Sequence, residues 1–201
     1  MNKPKIGLAL GSGGARGWAH IGVIRALEER GIVPDYVAGT SMGALVGAAY
    51  VGGRLDALEE WALSITHRKM AGMIDVNVLS GGLIEAKNVV RFFERLGIPD
   101  NIEDLDIPFA AVATDMRSGR EVWIRDGSVI DAMRASIALP GIISPVLRDD
   151  RWLIDGGLTN PLPVSVCRAM GADVVIAVNP EAKKYSVMWS QPEDEPNETW
   201  Q

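Results

Sequence analysis

Ser41 lies at the centre of Gly39-Thr40-Ser41-Met42-Gly43, a G-x-S-x-G pattern in which a sharp strand-to-helix turn lifts a serine hydroxyl clear of the backbone. The small flanking residues Gly39 and Gly43 relieve the crowding that such a turn creates. A serine hydroxyl needs a base beside it to become a nucleophile, and that base is usually histidine. The chain has two histidines, His20 and His67, and none beyond. The chain order Ser, acid, His of the α/β-hydrolases is therefore excluded. The best remaining base is Asp155, in Trp152-Leu153-Ile154-Asp155-Gly156-Gly157. There an aspartate closes an apolar strand, and Gly156 and Gly157 open the backbone behind it. Asp-Gly pairs also occur in ordinary turns, and Thr40-Ser41 could equally cap a helix.

A second glycine-rich stretch, Gly11-Ser12-Gly13-Gly14-Ala15-Arg16-Gly17, separates the first expected strand from the first helix. Acyl transfer needs donors aimed where a carbonyl oxygen becomes negative, and successive backbone N–H groups provide them. The helix start behind the loop adds positive potential. The same physics would hold a phosphate. However, a strict G-x-G-x-x-G is missing because Arg16 holds the sixth position from Gly11, and no acidic residue closes the second strand. The Walker A ending is absent too. Two adjacent parallel strands would bring this loop and Ser41 to one edge of a sheet.

The elements that position these residues alternate between strand and helix. Short apolar or alternating runs predict strands at 6–10, 34–38, 109–114, 121–125, 152–154 and 173–178. Helical periodicity covers 18–30, closed by Gly31, and 42–50, stopped by Gly52-Gly53. It returns at 55–65, 88–96, 128–137 and 163–170. Ser128 with Asp131 reads as a helix cap. Residues 67–87 have poor periodicity and read as a loop or mobile cover, with His67 in a solvated Arg-Lys patch. Residues 139–145 form an apolar loop. The expected fold is a three-layer α/β/α sandwich with a mostly parallel central sheet, spanning residues 5–180 as one domain. Residues 181–201 form an acidic, proline-punctuated tail expected to be disordered.

Bulk properties narrow the function. With 201 residues, 47% hydrophobic and 23% charged, the chain can bury a core as a single unit. A net charge of −6 gives no electrostatic reason to bind nucleic acid. Cys167 is the only cysteine, which fits a reducing compartment, and its apolar neighbours predict a buried structural thiol. The start of the chain has no secretory pattern, and no apolar run approaches the ~20 residues of a membrane span. A cytoplasmic location is expected, with any membrane contact peripheral. No cluster has metal-ligand spacing, so neither metal nor cofactor is expected. Trp18, Trp61, Trp123 and Trp152 are expected to line core or cleft, and His20 to be a packed structural residue.

Taken in this order, the glycine loop with Arg16-Gly17, Trp18-Ala19-His20-Ile21-Gly22-Val23, the elbow and Asp155-Gly156-Gly157 resemble the patatin-like phospholipases. The resemblance is to the bacterial branch related to neuropathy-target esterase. Ala111-Val112-Ala113-Thr114-Asp115 and Arg134-Ala135-Ser136-Ile137-Ala138-Leu139-Pro140-Gly141 match the same pattern, so it spans residues 5 to about 180. The resemblance implies a serine esterase acting on lipid acyl esters, of phospholipase A or lysophospholipase type. Ser41 would be its nucleophile and Asp155 the partner in a Ser–Asp dyad. It further implies an oxyanion hole at Gly13, Gly14, Arg16 and Met42, in which Arg16 would orient the loop or meet a substrate phosphate. The loop departs from the family pattern at Ser12, a change the backbone donors survive. Members of the branch often continue past the last strand, so a covering or partner-binding segment is expected to be missing here. The alternative reading is a catalytically weak regulatory or scaffold protein on this fold; the oligomeric state is left open.

Overall fold

The short apolar runs form strands and the amphipathic ones form helices, in the computed structural model that describes residues 3–64, 92–93 and 95–182. The first half comprises β1 (Ile6–Leu10), a 3-10 turn (Gly14–Trp18), α1 (Ala19–Glu28), β2 (Tyr36–Thr40), α2 (Met42–Val51) and α3 (Leu55–Ser64). The second half comprises β3 (Phe109–Asp115), β4 (Glu121–Ile124), α4 (Val129–Ser136), β5 (Val146–Arg148) and β6 (Arg151–Asp155). A 3-10 turn (Gly156–Leu158), α5 (Val164–Met170) and β7 (Val174–Val178) complete it. Of the expected 88–96 helix, residues 92, 93, 95 and 96 are described and all are helical. Residues 67–87, His67 and all of the expected tail except 181 and 182 lie outside the described residues.

Three boundaries differ from the sequence reading, each for a physical reason. The second strand begins at Tyr36 rather than Pro34, because Asp35 is occupied in tying down β1: its Oδ2 accepts the Ile6 N–H at 2.8 Å and its Oδ1 the Lys5 ammonium at 2.7 Å. That strand also runs on through Gly39 and Thr40, which stay in register with Leu10, Ala111 and Val112. The first helix is preceded by a 3-10 turn, so the glycine loop is tighter than expected. A strand the sequence reading lacked, β5, forms a hairpin with β6. Its two-residue turn, Asp149-Asp150, has both φ angles positive (49° and 58°), as hairpins with the favoured turn twist require.

Pairing links the seven strands in the order β5-β6-β3-β2-β1-β7, with β4 also on β3. The run β7-β1-β2-β3 is parallel, while β4 and β6 oppose β3 and β5 opposes β6. The sheet is therefore mixed, yet five of its seven strands point one way. The registers fix a detail that matters for the site. On β3, β2 pairs with residues 109–112, β6 with 113–115 and β4 with 111–114. One edge of a strand holds one partner at each position. Because β4 overlaps both of the others, it occupies the opposite edge, and β2 and β6 share an edge end to end. They approach from opposite directions. β2 stops at Thr40 opposite Val112, and β6 stops at Asp155 opposite Ala113.

Alternation along the strands sends Leu8, Leu10, Val37, Phe109, Ala111 and Ala113 to one face, where α1, α2, α3 and α4 bury them. The other face presents Ala9, Ala38, Ala110 and Val112, and these small residues let the short α5 pack closely through Val166 and Cys167. Cys167 is fully buried and burial pushes its thiol up to about 11, so it is the inert structural thiol expected.

Candidate active site

Ser41 leaves β2 with φ 54° and ψ −123°, a left-handed conformation that costs a non-glycine residue on the order of 1–3 kcal/mol. Two rigid neighbours hold it there. Behind it β2 is locked between β1 and β3, and ahead of it α2 is buried on almost every side, from Gly43 through Ala49. The turn also demands glycine at position 43, where a Cβ would lie 2.1 Å from the carbonyl oxygen of Leu10.

The Ser41 hydroxyl makes no cap to α2; it donates to Asp155 Oδ2 at 2.7 Å, across 114 residues of sequence. Thr40 makes no cap either, since its Oγ1 donates to the Asn160 carbonyl at 2.9 Å. The helix-cap reading of Thr40-Ser41 is thereby excluded. Asp155 is 5% exposed and is held at several points. Its Oδ1 accepts the Gly157 N–H at 2.7 Å, its own N–H donates to the Ala138 carbonyl at 2.9 Å, and its carbonyl accepts Thr114 Oγ1 at 2.9 Å. Gly156 is required by the same close fit, its missing Cβ falling 2.2 Å from the Val112 carbonyl oxygen. Burial pushes the Asp155 carboxyl above the ordinary carboxylate value, against the hydrogen bonds from Ser41 and Gly157, which favour the charged form. An aspartate so placed is a better base than a solvated one.

The parallel register Leu10 with Gly39 releases the glycine loop from the sheet beside Thr40 and Ser41. The Gly11 N–H donates to the Val178 carbonyl at 2.9 Å and the Ser12 N–H to that of Pro161 at 2.8 Å. Gly17 packs against the Met42 side chain, and Gly157 approaches Ser12, so loop, elbow and Asp155 meet at one place. Among the described residues, the N–H groups of Gly13, Gly14 and Met42 have no protein acceptor. The Arg16 N–H does: it closes the 3-10 turn onto the Gly13 carbonyl at 3.0 Å. Arg16 can therefore act on a ligand only through its exposed guanidinium, which makes no ion pair among the described residues.

His20 is fully buried, with Nε2 2.7 Å from the Gly11 carbonyl oxygen and no partner for Nδ1. The carbonyl assigns the proton to Nε2, and burial holds the imidazole below its ordinary value, with the Gly11 bond opposing. His20 thus anchors the loop and makes no hydrogen bond to Ser41 or Asp155. Leu139, Ile142 and Leu158, 40–56% exposed, project from the two loops that flank Asp155 and could line an acyl chain. Trp18 and Trp61 pack on the core with their ring centroids 5.8 Å apart; Trp152, 53% exposed, lines a surface pocket with Met116 and Arg117, and Trp123 is 36% exposed.

The sequence reading did not single out Thr114, Ser136 or Asn160. Ser136 carried a usable signal: Val129, Ala132 and Met133 set a buried stripe on α4, and Ser136 puts a hydroxyl on that stripe one turn further on.

Comparison with known proteins agrees with the geometry. Residues 8–168 match the family model described as patatin-like phospholipase. An uncharacterized NTE family protein of Mycobacterium tuberculosis is 46% identical over 178 residues, covering 89% of this chain and 49% of that protein. Human patatin-like phospholipase domain-containing protein 6 is 38% identical over 181 residues, covering 87% of this chain and 13% of that protein. Lysophospholipase NTE1 of Mycosarcoma maydis is 37% identical over 189 residues, covering 87% and 10%. The chain thus spans about half the length of the mycobacterial relative and a small part of the other two. With most of its length matched by the family model, and the elbow, glycine loop and Asp-Gly-Gly turn joined at one sheet edge, the chain belongs to the patatin-like phospholipase family, in its NTE-related branch.

Proposed function

We propose that the protein is a serine esterase that cleaves lipid acyl esters through a Ser41–Asp155 dyad, in the manner of a phospholipase A or lysophospholipase. The observation that carries this reading is the 2.7 Å hydrogen bond from a serine in a strained elbow to a buried carboxylate. Asp155 accepts the Ser41 proton as Oγ attacks the ester carbonyl, and the N–H groups of Gly13, Gly14 and Met42 receive the oxyanion. Each such donor is worth about 100-fold or more in other serine hydrolases. The tetrahedral intermediate collapses to an acyl-serine, and Asp155 passes its proton to the leaving alcohol. Water then attacks the acyl carbon as Asp155 takes its proton, and Asp155 returns that proton to Ser41 Oγ as the acyl–oxygen bond breaks, releasing the fatty acid and free Ser41. Gly157, by holding Oδ1, keeps Oδ2 turned to Ser41 in both half-reactions. The Arg16 guanidinium is suited to a substrate phosphate. Among the described residues no helix is long and apolar enough to cross a membrane.

The test is p-nitrophenyl ester hydrolysis across acyl lengths, with covalent labelling by a fluorophosphonate, in wild type, Ser41→Ala and Asp155→Asn. Ser41→Ala is expected to lose both labelling and turnover, and Asp155→Asn to lose turnover. Turnover surviving in Asp155→Asn would remove Asp155 as the base. A folded wild type with neither signal would refute the enzyme reading.

A further inference from the structure

The parallel ladder between β2 and β3 predicts one more rung than the structure contains. Val37 N–H donates to the Pro108 carbonyl at 3.0 Å, with Val37 opposite Phe109. Parallel rungs on one strand recur every two residues, so those from Gly39 and Ser41 should reach Ala110 and Val112. At Ser41 the rung is replaced by a side chain. The Ser41 N–H donates to Ser136 Oγ at 2.8 Å, and Ser136 Oγ in turn donates to the Val112 carbonyl at 2.6 Å. The Ser136 hydroxyl is fully buried and uses its one proton and one of its lone pairs in this relay.

The inserted hydroxyl has a geometric effect. It lengthens the link between Ser41 and β3 from one hydrogen bond to two, so β2 swings off the edge of β3 one residue before the elbow. The vacated length of that edge is where β6 ends, with Asp155 opposite Ala113 and Gly156 against the Val112 carbonyl. A direct rung would draw Ser41 toward β3 and into the space Gly156 uses. Because its N–H is turned inward to Ser136, Ser41 also presents its Oγ toward Asp155, and the next N–H, that of Met42, is left free.

The geometry points to Ser136 as a positioning residue for the nucleophile: its hydroxyl is a spacer rung that sets the Ser41–Asp155 distance, without itself touching substrate. This rests on Ser41 being the nucleophile. Only a group that both donates and accepts fits the relay, so the requirement is for a hydroxyl and is stricter than a requirement for volume. Alanine would leave the Ser41 N–H and Val112 carbonyl facing each other, free to close into the direct rung.

The test compares wild type with Ser136→Ala, Ser136→Cys and Ser136→Thr, reading kcat, KM, the fluorophosphonate labelling rate and the melting temperature. In the alanine and cysteine variants that fold, kcat and the labelling rate are expected to fall about 10- to 100-fold. KM should stay within about twofold and the acid limb of the pH profile should be unmoved, since Ser136 does not contact Asp155. Threonine, which keeps the hydroxyl, should recover most of the labelling rate. Wild-type labelling in a folded alanine or cysteine variant would overturn the proposal. So would a threonine variant that melts like wild type yet labels no faster than alanine. Failure of the wild type itself to label would instead remove the nucleophile on which the proposal rests, and is read from the same gel.

Discussion

A methyl group on Gly43 would arrive 2.1 Å from the carbonyl oxygen of Leu10, 2.5 Å from the Leu10 carbonyl carbon and 2.6 Å from the carbonyl oxygen of Gly11. All three are backbone atoms, so no side chain can turn aside. Carbon–oxygen contacts begin near ~3.3 Å, so the start of α2 and the end of β1 must separate by about 1.2 Å. Moving α2 pulls Met42 and Ser41 away from the glycine loop, which separates the nucleophile from the oxyanion donors. Misplacement of about 1 Å costs on the order of 100-fold in rate. Overpacking of this kind costs roughly 1–3 kcal/mol of stability, or about 2–12 °C in melting temperature for a chain of this size. The expected result for Gly43→Ala is therefore a loss of kcat/KM toward p-nitrophenyl esters far larger than the loss of fold would produce at 25 °C. Gly22→Ala in α1 is the control. Nothing lies within 4 Å of its Cβ, and relief of glycine's backbone entropy in a helix should add about 0.5–1 kcal/mol without altering turnover. A Gly43→Ala protein with wild-type kcat/KM and melting temperature would refute this account of how the elbow is held.

Two further outcomes depend on pH. Because burial raises the Asp155 carboxyl, the acid limb of kcat/KM should fall above the ordinary 3.8. A carboxyl raised on folding binds its proton more tightly in the folded state, so it costs stability as pH rises from 3.8 through the folded value. Asp155→Asn should consequently melt no lower than wild type at pH 7 while losing turnover, and a marked drop in its melting temperature would count against the buried-carboxylate picture. For His20 the sign is reversed. Its folded value lies below 6.5, so stability is complete above 6.5 and is lost as pH falls from there through the folded value. Denaturant midpoints at pH 7.5 and 5.5 should differ more in wild type than in His20→Gln, and equal differences would show that His20 stays neutral in both states or titrates in both alike.

Much of the site could be read from residue order because its parts are local motifs. A G-x-S-x-G turn, a glycine loop and an aspartate before two glycines each sit at the end of a short apolar run. With β1 and β2 parallel, loop and elbow must emerge together. What the sequence could not supply is the relation between strands distant in the chain. Trp152-Leu153-Ile154 reads as a strand whichever way it runs, and only the register on β3 places Asp155 opposite Ala113, facing the end of β2. β5 escaped because three residues, Val146 to Arg148, are too few to show alternation. The Asp149-Asp150 turn that announces it lacks the glycine usually found there. Ser136 escaped for another reason: the stripe on α4 marks its hydroxyl as buried, but periodicity along the helix cannot reveal that it stands in for a ladder rung between β2 and β3. Gly39 belongs by motif to the elbow that follows residues 34–38, whereas neighbours on both sides keep it in the ladder.

The end-to-end meeting of β2 and β6 on one edge of β3 also has a consequence in time. Ser41 and Asp155 are 114 residues apart, and synthesis at about 5–20 residues per second delivers Asp155 roughly 6–23 s after Ser41. During that interval β1, β2 and β3 can assemble, and the elbow with them, while the edge position for β6 stays vacant. A growing chain therefore carries a serine with nothing to take its proton. In the proposed mechanism the dyad forms only when β6 docks on β3, so turnover would report that long-range pairing more directly than helix content does.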